Sequence, residues 1–150
     1  MAKNLGNVYL QIDSMISKLD DEEQRLRDTI ERWLQMVVHH VAERATANAP
    51  ILTGDLRAAL TTTKPSWNGN EIGAKVIDTV EYALLQHEVL TPAGHFQLGP
   101  ISVQQPMTPE GGVGGWYIKR VVQFHLNRYE DLLKKMLESK GLDVDFTIIG

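Results

Sequence analysis

The chain has 150 residues, of which 43% are hydrophobic and 23% are charged, and its formal net charge is −4. These values predict a single soluble globular domain over residues 1–150 and argue against a general attraction to nucleic acid. The chain contains no cysteine, which excludes disulfides, thiolate metal sites and cysteine nucleophiles. No apolar run in the sequence predicts a membrane span, so no membrane partner is expected.

The first segment, residues 1–19, fits two kinds of secondary structure. Val8, Leu10 and Ile12 alternate with polar residues as in a strand, whereas the apolar residues from Ile12 to Leu19 have the spacing of a helical face. A third interpretation is a flexible arm that becomes ordered only on assembly.

A long helix is predicted from about Asp21 to Ala47. Asp20 and Glu23 resemble a capping box at its start. Its apolar residues recur every three or four positions, as expected for a helix with one buried face; they are Leu26, Ile30, Trp33, Leu34, Val37, Val41 and Ala45.

The run Ala49–Arg57 follows this helix. Pro50 ends the helix, because proline lacks a backbone N–H and disfavours helical geometry in the residue before it. Thr53 is placed to cap a short second helix, and Asp55 adds negative charge at its positive end.

A β-hairpin is predicted next. Leu60–Thr63 is rich in β-branched residues and leads to Pro65, and Ile72–Val80 reads as the returning strand. Asn68–Asn70 has the composition of a hairpin turn. Tyr82–His87 reads as a short helix or turn.

Residues 91–115 contain four prolines and six glycines. We expect an extended loop here, because loops of this length in small domains usually serve a function or are disordered. Short strands within it would form a hairpin that reaches a neighbouring molecule. Gly111–Gly115 lacks the residues of a phosphate-binding loop and is interpreted as a hinge or a loop.

The second long helix is predicted over Trp116–Lys140, with Gly141 as its C-terminal cap. Residues 142–150 then alternate as a strand that joins either this sheet or a neighbour's. The apolar face of the helix comprises Ile118, Val122, Leu126, Tyr129, Leu133 and Met136.

The two helices have opposite charge. Residues 20–48 carry seven acids and four bases, for a net charge of −3, and residues 116–140 carry six bases and three acids, for a net charge of +3. The helices therefore attract each other within one domain, or the acidic face of one subunit meets the basic face of the next. The two interpretations are compatible.

Few residues suggest catalysis. His39 and His40 are adjacent on a helix and cannot both face one ion, and no zinc-protease motif is present. His87, Glu88 and His95 lie close together in the sequence, and they define one alternative function, a metal-dependent hydrolase. Surface or interface histidines are the simpler interpretation, and His125 is expected at the surface or in packing.

Two further sets of residues are of interest. Arg57 and Glu88 are expected to form an ion pair within a subunit or between subunits. Trp67 and Trp116 are expected to be exposed anchors for an interface, whereas Trp33 and Tyr129 are expected in the core.

Three motifs in this order resemble the neck or tail-completion proteins of long-tailed bacteriophages, also described as head–tail joining or minor tail proteins. They are Ala49–Arg57, Tyr82–Glu88 and the helix Trp116–Lys140, and the similarity spans roughly residues 20 to 140. The family's usual Gly-Thr after the glutamate is replaced here, in the run Glu88–Thr91. The residues that carry the resemblance are Thr53, Gly54, Leu56, Arg57, Tyr82, Ala83 and Glu88.

The resemblance implies an α+β fold with a long N-terminal helix, a small antiparallel sheet, a long C-terminal helix and an extended Pro/Gly-rich loop. It implies a structural virion protein, neither an enzyme nor a cofactor binder, assembled in the host cytoplasm into a ring at the head–tail junction or the top of the tail. A hexamer is favoured over a dodecamer. The expected partners are copies of the chain and the neighbouring neck, connector and tail-tube proteins, with DNA passing through the lumen without specific binding. A non-viral helical interaction module is a further alternative.

Overall fold

Two long helices and five antiparallel strands make up the described part of the chain. The structure is a computed structural model that describes residues 3–12, 20–49, 60–78, 107–112, 117–142 and 146–149. The α+β class predicted from the sequence is confirmed. In chain order the elements are β1 Lys3–Ile12, α1 Asp20–Asn48, β2 Leu60–Thr62, β3 Ser66–Asn68, β4 Glu71–Asp78, α2 Lys119–Ser139 and β5 Phe146–Ile149.

The strands form one sheet in the order β2-β4-β1-β5, with β3 also paired to β4. Strand β1 lies between β4 and β5, with Val8 opposite Ala74 and Leu10 opposite Ile148. The strand interpretation of the N-terminal segment therefore holds for residues 3–12. Residues 9–11 of β1 have a strand partner on both edges.

The predicted hairpin is present, but its first arm is divided. Residues Leu60–Thr62 pair with one end of β4 and Ser66–Asn68 with the other. Pro65 lies between them, where a residue without a backbone N–H cannot continue the ladder. Gly69 occupies the turn with a φ of 62°, a conformation that glycine adopts without a steric penalty.

Helix α1 has 29 residues and is therefore about 43 Å long. Its predicted apolar face is confirmed, since every residue of that face is at most 1% exposed. The face packs against β2, β4 and α2. On β4, Ile72, Ala74 and Val76 alternate with less buried residues and complete the core.

Helix α2 packs against α1 and β1. Its predicted face is buried at Ile118, Val122, Tyr129 and Leu133, and partly buried at Leu126 and Met136. Gly141 caps the helix as predicted, with a φ of 67°, and the Leu142 N–H donates to the Leu137 carbonyl at 2.9 Å. Neither described helix has the length and apolar content needed to cross a membrane.

The C-terminal strand pairs within the chain. Phe146–Ile149 lies antiparallel to residues Tyr9–Ile12 of β1. Of the two alternatives for residues 142–150, the structure contains the intramolecular one, and Phe146 and Ile148 pack against the core.

Candidate functional site

Among the site residues predicted from the sequence, Trp67 is in the described part of the structure. The ion pair expected between Arg57 and Glu88 lies outside it, as does the proposed metal-binding group of the hydrolase alternative. The residues outside the described ranges are Thr53, Gly54, Leu56, Arg57, Tyr82, Ala83, His87, Glu88, His95 and Trp116.

Trp67 is held against α1. Its indole Nε1–H donates to Glu31 Oε1 at 2.8 Å, and the Arg27 guanidinium lies 4.5 Å from the centre of its ring. The side chain is half-buried and packs on the core. The expectation of an exposed tryptophan is corrected accordingly: the turn places Trp67 over the helix, where its ring covers apolar surface and its N–H finds an acceptor.

A buried carboxylate joins the two helices. The Glu110 side chain is 0% exposed and lies in the predicted Pro/Gly-rich loop. Arg44 of α1 donates to both of its oxygens, from Nε at 2.9 Å and Nη2 at 2.8 Å. Asn48 Nδ2 donates to Oε1 at 3.3 Å, and His125 Nε2 of α2 lies 2.7 Å from Oε2. Because a carboxylate only accepts, His125 carries its proton on Nε2.

The turn that carries Glu110 is held in place by side chains that hydrogen-bond to its backbone. Arg120 Nη1 donates to the Glu110 carbonyl and Nη2 to the Gly112 carbonyl, both at 2.8 Å. Thr108 Oγ1 bonds to Asn48 Oδ1 and accepts from the Gly112 N–H. The described residues 107–112 thus pack against both helices.

The charges in this cluster stabilise one another. The Arg44 guanidinium holds the pKa of the Glu110 carboxyl well below its usual range, against the opposing effect of burial, and the bonds from His125 and Asn48 act in the same direction. The bond to Glu110 raises the pKa of Arg44. Both Glu110 oxygens are occupied by donors, so this carboxylate is suited to fastening α1 to α2 and unsuited to proton transfer.

A set of packed aromatic side chains connects this cluster to the surface. The His125 ring lies edge-on to the His40 ring at 4.8 Å and to the Phe124 ring at 4.8 Å. His40 Nδ1 is 2.7 Å from the Tyr129 hydroxyl. Burial lowers the pKa of His40, and the neighbouring His125, Arg128 and Arg44 lower it further, while Glu43 opposes them.

These shifts predict loss of stability in acid. A lowered folded-state pKa means that the folded state resists protonation, so stability falls once the pH drops below the unfolded pKa. We expect the free energy of unfolding to fall first below about pH 6.5 through His40, and again below about pH 4.3 through Glu110. Urea unfolding at intervals from pH 8 to pH 3.5 measures both stages. In the His40→Asn variant, the loss of unfolding free energy below about pH 6.5 should be smaller. An unchanged pH profile in this variant would show that His40 does not cause that loss.

Gly111 is fixed in a conformation that other residues avoid. Its φ is 111°, and a Cβ there would lie 3.0 Å from Arg120 Nη1. We expect Gly111→Ala to lower the free energy of unfolding by about 2 kcal/mol. Gly69→Ala is the matched control, since Gly69 also has a positive φ but has open space around it. Equal losses in the two variants, measured by urea unfolding, would show that neither the φ of Gly111 nor its contact with Arg120 adds to the cost.

A groove opens beside the cluster, between α1 and α2. Its volume is about 960 Å³, and it is lined by His40 and Tyr129 as well as by apolar and charged residues of both helices. The apolar lining includes Met36, which is 47% exposed, together with Val37 and Leu132. The groove is thus a partly apolar surface that the described residues leave uncovered.

The arrangement gives little support to catalysis. Within the described ranges, no group of three His, Asp or Glu side chains is placed to hold a metal ion. Glu110 and His40, whose pKa values are lowered, both bond to neighbouring side chains. The features that can contact another molecule are the groove and the exposed apolar residues near it.

The Glu110 cluster was not predicted from the sequence. A weak signal was present: His125 lies four residues from both Val121 and Tyr129, on the apolar side of α2, and a buried polar residue needs a partner. Arg44 and Asn48 are likewise four residues apart, on one face of α1. Their common partner is distant in sequence and lies in a segment interpreted as a loop.

Comparison with known proteins identifies the family. No curated protein and no solved structure matches the chain. A family model described as "Bacteriophage HK97-gp10, putative tail-component" matches residues 13–87, which is half of the chain and runs from before α1 to beyond β4. The neck or tail-completion resemblance seen in the motifs is consistent with this match. The chain therefore belongs to the HK97-gp10-like family of phage tail components.

Proposed function

We propose that the chain is a structural protein of a long-tailed phage virion that forms a ring at the head–tail junction or the top of the tail. The family match over residues 13–87 carries this proposal, because it identifies a phage tail component. The role of the protein is then tail completion and head–tail joining, and its contribution is assembly without catalysis.

The surface of the molecule supports an assembly role. The groove between α1 and α2 and the exposed side chains of Met36 and Phe124, 47% and 57% exposed, offer apolar area to other proteins. Buried clusters such as the one around Glu110 hold the two helices in one relative position. A fixed helix pair presents the groove with a constant shape, which favours repeated identical contacts.

The proposed partners are other copies of the chain, with neck, connector and tail-tube proteins above and below. A hexamer is the favoured ring. The formal charge of −4 suits a wall along which DNA passes without binding.

Native mass spectrometry of the purified chain tests the ring. We expect a species of six times the 16.8 kDa subunit mass, seen as a ring by negative-stain electron microscopy. A twelvefold mass would support the ring with the larger count. A chain that stays monomeric at high concentration, alone and with the proteins encoded beside it, would contradict the proposal.

A further inference from the structure

His40 connects the two helices at the wall of the groove. Its side chain projects from α1, and its Nδ1 lies 2.7 Å from the hydroxyl of Tyr129 on α2. Both residues line the groove, and their rings stand edge-on with 5.6 Å between the centroids. The His125 ring of α2 also meets the His40 ring edge-on, at 4.8 Å. One titratable side chain of α1 is therefore packed against two aromatic side chains of α2.

The charges that face His40 are divided unequally between the helices. Burial lowers the pKa of His40 most, and His125 and Arg128 of α2 lower it further. On its own helix, Glu43 raises the pKa of His40 and Arg44 lowers it. A proton on His40 is thus attracted by an acid of α1 and repelled by two groups of α2. The repulsion acts across the contact between the helices.

Two nearby oxygen-bearing side chains do not balance this charge. Burial raises the pKa of Tyr129, so its hydroxyl carries no negative charge in neutral or acidic solution. Both oxygens of Glu110, in the turn 107–112, already accept hydrogen bonds from Arg44 and His125. The other charged or titratable residues that line the groove are not among the groups that shift the pKa of His40; they are Arg32, His39, Asp131 and Lys135.

We propose that His40 makes the contact between α1 and α2 sensitive to pH. With a neutral ring, His40 holds the helices together at Tyr129. With a protonated ring it repels α2, the helices separate locally, and the apolar lining of the groove becomes more accessible. The separation is confined to this contact, because α1 packs on β2 and β4 through its buried apolar face. The proposal does not depend on the ring.

Amide hydrogen exchange on the two sides of the ordinary histidine pKa, at about pH 7.5 and about pH 5.5, tests the contact. The rates are corrected for the intrinsic effect of pH on exchange. The separated form binds the proton more tightly, so acid shifts the equilibrium towards it. We expect the opening constant of residues 36–44 and 125–132 to rise at least about threefold in acid, while that of β4 changes less than about twofold.

Three variants separate the charge of His40 from other effects. His40→Arg carries a fixed charge, so at the higher pH it should show the fast exchange that the wild type shows in acid. His40→Gln can share a hydrogen bond with Tyr129 but does not titrate, so its exchange in the two segments should be the same at both pH values. His39→Arg is the matched control, because His39 is exposed on the same helix beside His40, and its exchange should match that of the wild type.

Protection of the β4 amides shows whether each variant is folded. A wild-type chain that does not respond to pH in the two segments would overturn the proposal, and so would a response that persists in His40→Gln. Equal acceleration in β4 would overturn it by showing a loss of global stability. Opening in His39→Arg as large as in His40→Arg would overturn it by showing a general effect of added charge. If His40→Arg does not fold, the comparison of His40→Gln with the wild type decides the result.

Discussion

Replacing Glu110 with Gln is expected to lower the free energy of unfolding by about 3 kcal/mol. The carboxylate is fully buried and accepts four hydrogen bonds, from Arg44, Asn48 and His125. An amide is of similar size, but its NH₂ group must face one of these donors, and the guanidinium loses its counter-charge. Removing one partner of a buried pair costs about 3–5 kcal/mol; the lower end applies because the Arg44 side chain is 27% exposed.

Urea unfolding of Glu110→Gln and Glu43→Gln provides the comparison. Glu43 is exposed on the same helix as Arg44, so the same substitution should change stability by less than about 0.5 kcal/mol. A double-mutant cycle with Arg44→Gln should show a coupling of about 1.5 kcal/mol or more. A coupling near zero would show that Glu110 and Arg44 contribute independently, against the contacts described above.

Replacing Trp33 with Ala is expected to lower the free energy of unfolding by about 4 kcal/mol. Trp33 is 0% exposed at the centre of α1, and its Nε1–H donates to the Tyr129 carbonyl at 2.8 Å. Truncating a buried tryptophan removes its apolar contacts and leaves a cavity, which typically costs about 3–5 kcal/mol. The Tyr129 carbonyl also loses a donor.

Chemical unfolding of Trp33→Ala and Trp33→Phe separates the two contributions. Phe retains most of the apolar volume but cannot donate, so its loss should be smaller than that of Ala. Phe124→Ala is the control for truncating an aromatic ring, because Phe124 is 57% exposed, and we expect less than about 1 kcal/mol. Trp33→Ala and Phe124→Ala variants of equal stability would contradict the burial of Trp33.

The helices were predictable because their signal is local. The apolar residues of α1 recur every three or four positions, and burial of that face follows from the spacing alone. Pro50 and Gly141 marked the helix ends for similarly local reasons. The turn at Gly69 was also encoded by neighbouring residues.

The Glu110 cluster was not predictable because the residues that form it are far apart in the sequence. Arg44 and Glu110 are 66 residues apart, and His125 lies on a different helix. Nothing near Glu110 in the sequence distinguishes a pinned turn from a mobile Pro/Gly-rich loop. The position of Trp67 over α1 has the same origin, since its partner Glu31 is 36 residues away.

The central place of β1 shows a third limit. Alternation at Val8 and Leu10 indicated a strand, but alternation carries no information about which strands lie beside it. The order β2-β4-β1-β5 places the first and last described strands side by side in one sheet. That arrangement depends on the packing of both helices against the sheet, which no single segment specifies.

Quantitative mass spectrometry of purified virions tests the central claim, that this chain is a structural part of the phage tail. We expect the chain to be present in a fixed ratio to the tail-tube protein, at six or twelve copies per virion. After heads and tails are separated, it should remain with the tail or with the junction. A chain abundant in infected cells but absent from purified virions would contradict it.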